Sequence, residues 1–141
     1  MKIPQKLDYA VRVMVQMAQR YEYSKHSGEL TRMEEVSEAE GISIHFLAQI
    51  LNELRRSHLV DSRRGKNGGY ILGRPPVAIT VLDIIRVMEG TTLTHEQTSD
   101  GPAAGPVNHA WQRMNSAVEA EAAKITLEDL CTGEQVPMFY I

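Results

Sequence analysis

"GISIHFLAQILNELRRSHLVDSRRGKNGGYIL", residues 41–72, holds in order a glycine, a capping serine, an amphipathic helix and a hairpin. Ser43 suits an N-cap because its hydroxyl oxygen can take one of the orphaned N–H groups of a helix start. After it, Ile44, Leu47, Ile50, Leu51 and Leu54 recur at three- and four-residue spacings, which predicts one buried stripe. The face between them carries His45, Ala48, Gln49, Asn52, Arg55 and Arg56, with no acid until Glu53. "HLVDSRR", "GKNG" and "GYILG" then read as strand, glycine-rich turn and strand, and the Asn67-Gly68 pair is a strong hairpin signal.

Working upstream, "TRME" offers Thr31 as N-cap with Glu34 three residues on, a capping box that predicts a second helix to about Ala39. Gly41 ends it in a tight turn. Two helices joined by a short turn containing glycine form the helix-turn-helix pattern, and a hairpin directly after it is a wing. Further back, "QKLDYAVRVMVQMAQR" (5–20) places Leu7, Ala10, Val11, Met14, Met17 and Ala18 on one helical stripe, followed by a loop, "YEYSKHSGE".

Downstream, "ITVLDIIRVMEG" has Thr80 as N-cap, Asp83 at the third position, apolar Val81, Leu82, Ile85 and Met88, and Gly90 at its end. Residues 91–106, rich in Gly, Pro, Ser and Thr, read as a flexible loop of regulatory type. A longer helix is expected from about Val107 to Lys124, with Val107, Trp111, Met114, Val118 and Ile125 at heptad-like spacing. Trp111, Met114 and Val118 form its best candidate for a dimer interface, the alternative being an intramolecular core face. Thr126 is a further cap, and the chain closes "CTGEQVPMFYI".

The charge is distributed unevenly. Residues 1–75 carry 12 Lys+Arg against 9 Asp+Glu, and residues 76–141 carry 3 against 9, together the chain's −3. Six bases (Arg55, Arg56, Arg63, Arg64, Lys66 and Arg74) stand against the one acid Asp61 in 54–74. Such a concentration at a helix end and a wing tip points to a polyanion, and a phosphate backbone fits it. One cysteine among 141 residues, Cys131, excludes an intramolecular disulfide framework and is expected to be a small buried hydrophobe, with a redox role as the alternative. His26, His45, His58, His95 and His109 are scattered without metal-ligand spacing, so neither an enzyme nor a metal site is expected. No apolar run approaches the roughly 20 residues of a membrane span. Charges interrupt the N-terminal apolar stretch, so a cytoplasmic, soluble protein is expected.

The helix ending "ILNELRRSHLV", the wing "SRRGKNGGYIL" and "ITVLDIIRVMEG", with "LDYAVRVM" and "ITLEDL" outside them, resemble the Rrf2 family of bacterial transcription regulators over nearly the whole chain. The resemblance implies a mainly α fold with a small β-hairpin wing. It divides the chain into a winged helix-turn-helix DNA-binding domain (1–90), a loop (91–106), and a dimerisation helix with a C-terminal tail (107–141). It implies a homodimeric repressor on a palindromic double-stranded operator. Ser43, His45, Gln49 and Asn52 would face bases or phosphates, Arg55, Arg56, Arg63 and Lys66 the backbone, and Asn67 is a further DNA-binding residue. Arg64 matches the family position that enters the minor groove. Ala48 stands where some relatives have glutamate, so an inherited base preference does not follow.

One branch of the family holds an iron–sulfur cluster through three cysteines in the loop after "EG". That loop has none here, although His109 and Asp8 sit where some members offer ligands, so no cluster is expected. The cysteine-metabolism repressor branch also lacks those cysteines, and its closing segment is similar to "TLEDL", "TGEQ" and "MFYI". This implies docking of Met138, Phe139, Tyr140 and Ile141 into O-acetylserine sulfhydrylase, against the plainer reading that the tail packs on its own core. Two other functions stay open: a winged-helix module that binds protein, and a regulator sensing a small effector near 91–106 through His95, Asp100 or His109.

Overall fold

Helix α1 (Gln5–Ala18) is the element around which the rest of the chain packs. In this computed structural model residues 1–22, 27–28, 30–65, 68–93 and 100–133 are described. Ala10, Val13 and Met14 of α1 are fully buried. Val13 takes the inward place expected of Val11, because 10, 13, 14 and 17 complete the helical stripe and Val11 falls at its edge. The segment expected to be a loop contains a short antiparallel pair, β1 (Tyr21–Glu22) with β2 (Ser27–Gly28).

Helix α2 (Met33–Glu40) starts without the side-chain cap expected of Thr31; its N-cap is Arg32. Thr31 instead forms an isolated antiparallel bridge with Tyr70. Its N–H donates to the Tyr70 carbonyl at 2.8 Å, and its own carbonyl accepts from the Tyr70 N–H at 2.9 Å. Two tertiary backbone bonds thus displace one local cap. Gly41 ends α2 in the left-handed conformation (φ 69°) that a side chain rarely adopts, turning the chain into α3 (Ile44–Arg56). The Ser37 hydroxyl donates to the Ile42 carbonyl at 2.5 Å and closes this turn.

Strands β3 (Val60–Arg63) and β4 (Gly69–Leu72) form the antiparallel wing, with Val60 opposite Leu72 and Arg63 opposite Gly69. A 3-10 turn (Pro76–Ala78) leads to α4 (Val81–Met88), whose Thr80–Asp83 capping box is formed in both directions. Helix α5 (Ala104–Ala122) starts earlier than its sequence suggests, with Gly105 and Pro106 inside its first turn. Proline is tolerated there because the N–H it lacks has no helical partner. Helix α6 (Leu127–Cys131), capped by Thr126 and Asp129, returns to the body: Leu127 is fully buried and the helix packs on α1 and the 3-10 turn. The fold is therefore mainly helical with a hairpin wing, as the sequence predicts.

Candidate nucleic-acid interface

Leu47, Ile50, Leu51 and Leu54 of α3 are buried against the body, which fixes the direction of the opposite face. That face exposes Ser43, Ile44, His45, Gln49, Arg55 and Arg56, with Asn52 half-buried. Ile44, expected in the stripe, is 42% exposed: it sits at the first helical position, ahead of the turn that meets the core. The Ser43 oxygen accepts from the Phe46 N–H at 3.2 Å, so the cap is formed while the hydroxyl proton stays available to donate. Arg55 Nη2 donates to Asn52 Oδ1 at 3.1 Å, which holds the guanidinium along the helix. Gln49 Nε2 and His45 Nε2 lie 3.5 Å apart.

The single acid of α3, Glu53, is turned toward α1, where Lys6 Nζ meets its Oε1 at 2.7 Å. On α2, Glu40 likewise accepts from Gln16 Nε2 at 2.6 Å. These carboxylates are thereby drawn toward α1. What remains on the exposed face of α3 is neutral or positive, the electrostatic footprint a phosphate backbone calls for.

On the wing, Arg63 and Arg64 are exposed. Gly68 N–H donates to the Gly65 carbonyl at 2.9 Å; Lys66 and Asn67 lie outside the described residues. A Cβ at Gly68 would press onto the Arg63 carbonyl and lie 2.9 Å from that of Gly65, so the tip admits only glycine there. Tyr70 packs partly against the core, and its bonds to Thr31 tie the wing to the start of α2. Arg74 departs from the basic group: its Nη2 pairs with Asp83 Oδ2 on α4 at 3.6 Å. The structure thus assembles Ser43, His45, Gln49, Asn52, Arg55, Arg56, Arg63 and Arg64 on two neighbouring elements. It also adds Lys6 as the residue that holds Glu53, a role without a sequence signal because 47 positions separate the pair.

Val107, Trp111, Met114 and Val118 of α5 are 44%, 43%, 39% and 40% exposed, and only Ala122 of this helix is buried. Their three- and four-residue spacing makes one apolar stripe facing outward. The preceding loop is fastened to α5, since Asn115 Oδ1 accepts from the Leu93 N–H at 3.0 Å and from the Thr92 hydroxyl. Asp100 and His109 are exposed; His95 and the tail Met138, Phe139, Tyr140 and Ile141 lie outside the described residues. Cys131 is half-buried against the core, and burial, reinforced by Glu128, pushes its thiol pKa up.

The Rrf2 family, described as iron-dependent transcriptional regulators, matches residues 3–133. The HTH-type transcriptional regulator CymR of Bacillus subtilis is 39% identical over 145 aligned residues, spanning 100% of both chains. The solved structure of CymR, titled the global cysteine regulator of B. subtilis, matches with a TM-score of 0.78 and 34% identity, over 94% of this chain and 97% of that one. The oxidized form of Staphylococcus aureus CymR matches with a TM-score of 0.76 and 30% identity, over 93% and 96%. These homologues are transcription regulators, not enzymes.

The family description names iron, and the donors of this chain do not fit an iron–sulfur cluster, which is held chiefly by thiolates. The chain has one cysteine, and it lies on α6. Asp8 is engaged by Arg12 at 3.1 Å, and no three His, Cys, Asp or Glu side chains converge among the described residues. Nor, among these residues, is any helix long and apolar enough to cross a membrane.

Proposed function

The chain belongs to the Rrf2 family of helix-turn-helix transcription regulators, and we propose that it acts as a homodimeric repressor on a palindromic operator. Helix α3 enters the major groove with Ser43, His45 and Gln49 toward base edges. Arg55, Arg56 and Arg63 hold phosphates, joined by Lys66 and Asn67 at the wing tip, while Arg64 reaches the flanking minor groove. The observation that carries this reading is the acid-free exposed face of α3 beside an arginine-bearing wing.

The dimer is formed through the apolar stripe of α5. A patch of four large side chains, each about two-fifths exposed, is more than scattered surface apolarity and fits burial against a second copy. The regulated genes are those of cysteine and sulfur metabolism, a role supported by the likeness to CymR, and O-acetylserine sulfhydrylase is the partner of the C-terminal tail. The protein acts in the cytoplasm.

Selection of genomic fragments by the purified protein at near-physiological salt, with and without O-acetylserine sulfhydrylase, tests this. A palindrome upstream of sulfur genes, sharpened by the enzyme, is the expected result. A palindrome elsewhere retains the regulator and removes the cysteine role, and no enrichment at all removes the autonomous repressor. Sedimentation should give a dimer that Met114→Glu converts to monomer with loss of the palindrome; an unchanged dimer would place the interface elsewhere.

A further inference from the structure

His45 and Gln49 stand one turn apart on the exposed face of α3, their Nε2 atoms 3.5 Å from each other. Two nitrogens share a hydrogen bond only if one accepts, and an amide nitrogen does not. A hydrogen bond across this contact requires the imidazole tautomer protonated at Nδ1, with Nε2 accepting from the amide. In that arrangement the Gln49 nitrogen turns toward residue 45 and Oε1 turns away. Among the described residues, the hydrogen-bond partner of the Gln49 amide is His45.

An amide held this way offers one oxygen acceptor and one remaining N–H. Adenine presents the complement in the major groove, an N6 donor beside an N7 acceptor. Guanine presents two acceptors, O6 and N7, and would set O6 against the amide oxygen. We propose that His45 is a positioning residue for base specificity, turning the Gln49 amide so that it reads adenine and rejects guanine. The inference rests on α3 being the groove-reading helix. It adds that the preference of Gln49 is set by the hydrogen-bonding character of its neighbour. A donor at position 45 would capture Oε1 and leave only N–H groups for the base, which suits guanine. A pure acceptor there would keep the amide as it stands.

The full-length protein and three variants are used to select from a duplex pool with a randomised core. The column that loses its preference in Gln49→Ala identifies the base read by Gln49. At that column the wild type and His45→Glu are expected to enrich adenine, and His45→Lys guanine, each by about tenfold over the other purine. The remaining columns should stay as they are, a pattern that a merely structural role for His45 would not produce. Positions 45 and 49 are exposed, so folding is checked simply by an unchanged thermal transition. The same base in wild type and His45→Lys, or loss of adenine in His45→Glu with the other columns intact, overturns the coupling alone. Identical columns in wild type and Gln49→Ala overturn both the coupling and the groove-reading role of Gln49.

Discussion

Replacing Arg63 by alanine gives a quantitative test of the interface. Four cations, Arg55, Arg56, Arg63 and Lys66, are assigned to phosphates, eight in the proposed dimer. Each neutralised phosphate contributes about −0.9 to the slope of log K against log salt, so the wild type should show a slope of about −7. Arg63→Ala removes two cations per dimer and brings the slope to about −5. Between 50 and 200 mM salt the wild type then loses roughly four orders of magnitude in affinity and the variant roughly three. The difference between them closes by about tenfold across that range.

Arg74→Ala is the internal control, because that guanidinium is held by Asp83 and should leave the slope where it was. Fluorescence anisotropy on one operator duplex and one scrambled duplex reads both quantities. A backbone contact carries no sequence information, so the loss of Arg63 should weaken the two duplexes alike. Parallel salt lines for wild type and Arg63→Ala, or a slope that falls as much in Arg74→Ala, would refute the assignment of the wing to phosphates.

Three further expectations concern stability and reactivity. Thr31 is 2% exposed and its hydroxyl has no hydrogen-bond partner among the described residues, so Thr31→Val should raise stability by about 1 kcal/mol, read as a higher urea midpoint at unchanged m-value; a lower midpoint would mean that the hydroxyl is satisfied. His58 closes α3 at φ 65°, a conformation that costs side-chain-bearing residues about 1 kcal/mol, and His58→Gly should recover about half of it as a raised Tm. Cys131 should react with iodoacetamide at pH 8 more slowly in the native protein than in urea, since burial holds its pKa above the ordinary 9.0. For the same reason unfolding should become easier above about pH 9, where the unfolded chain releases this proton and the folded chain retains it. Cys131→Ala should flatten that decline, and an unchanged alkaline slope would assign it to other groups.

Elements whose causes are local could be read from the sequence. Ser43, Thr80 and Thr126 cap as their spacing requires, and Gly41 turns where a left-handed residue is needed. The α3 face followed from a period of 3.6, and the hairpin from its glycine-rich turn with the Asn-Gly pair. Thr31 was misleading because the local pattern is a genuine capping box and the competing partner, Tyr70, lies 39 positions on. The Lys6–Glu53 and Arg74–Asp83 pairs were invisible for a related reason, since charge type is legible but direction depends on packing. In α5 the tryptophan and methionine spacing predicted a stripe without saying whether it faced inward, and only its exposure gives the direction.

The way α6 is stitched to the body bears on DNA geometry. The Val81 N–H donates to the Ile125 carbonyl at 2.8 Å and the Leu127 N–H to the Ile79 carbonyl at 2.9 Å, just beyond the far end of α5. With Asn115 fastened to Leu93, the helix is held at one point past its middle and at its exit. In the proposed dimer the two reading heads are then joined by a strut, with no tether to take up slack. Their separation is a constant of that dimer, and an operator with one base pair added between its half-sites would present the second head with a site turned by about 35° and displaced by about 3.4 Å.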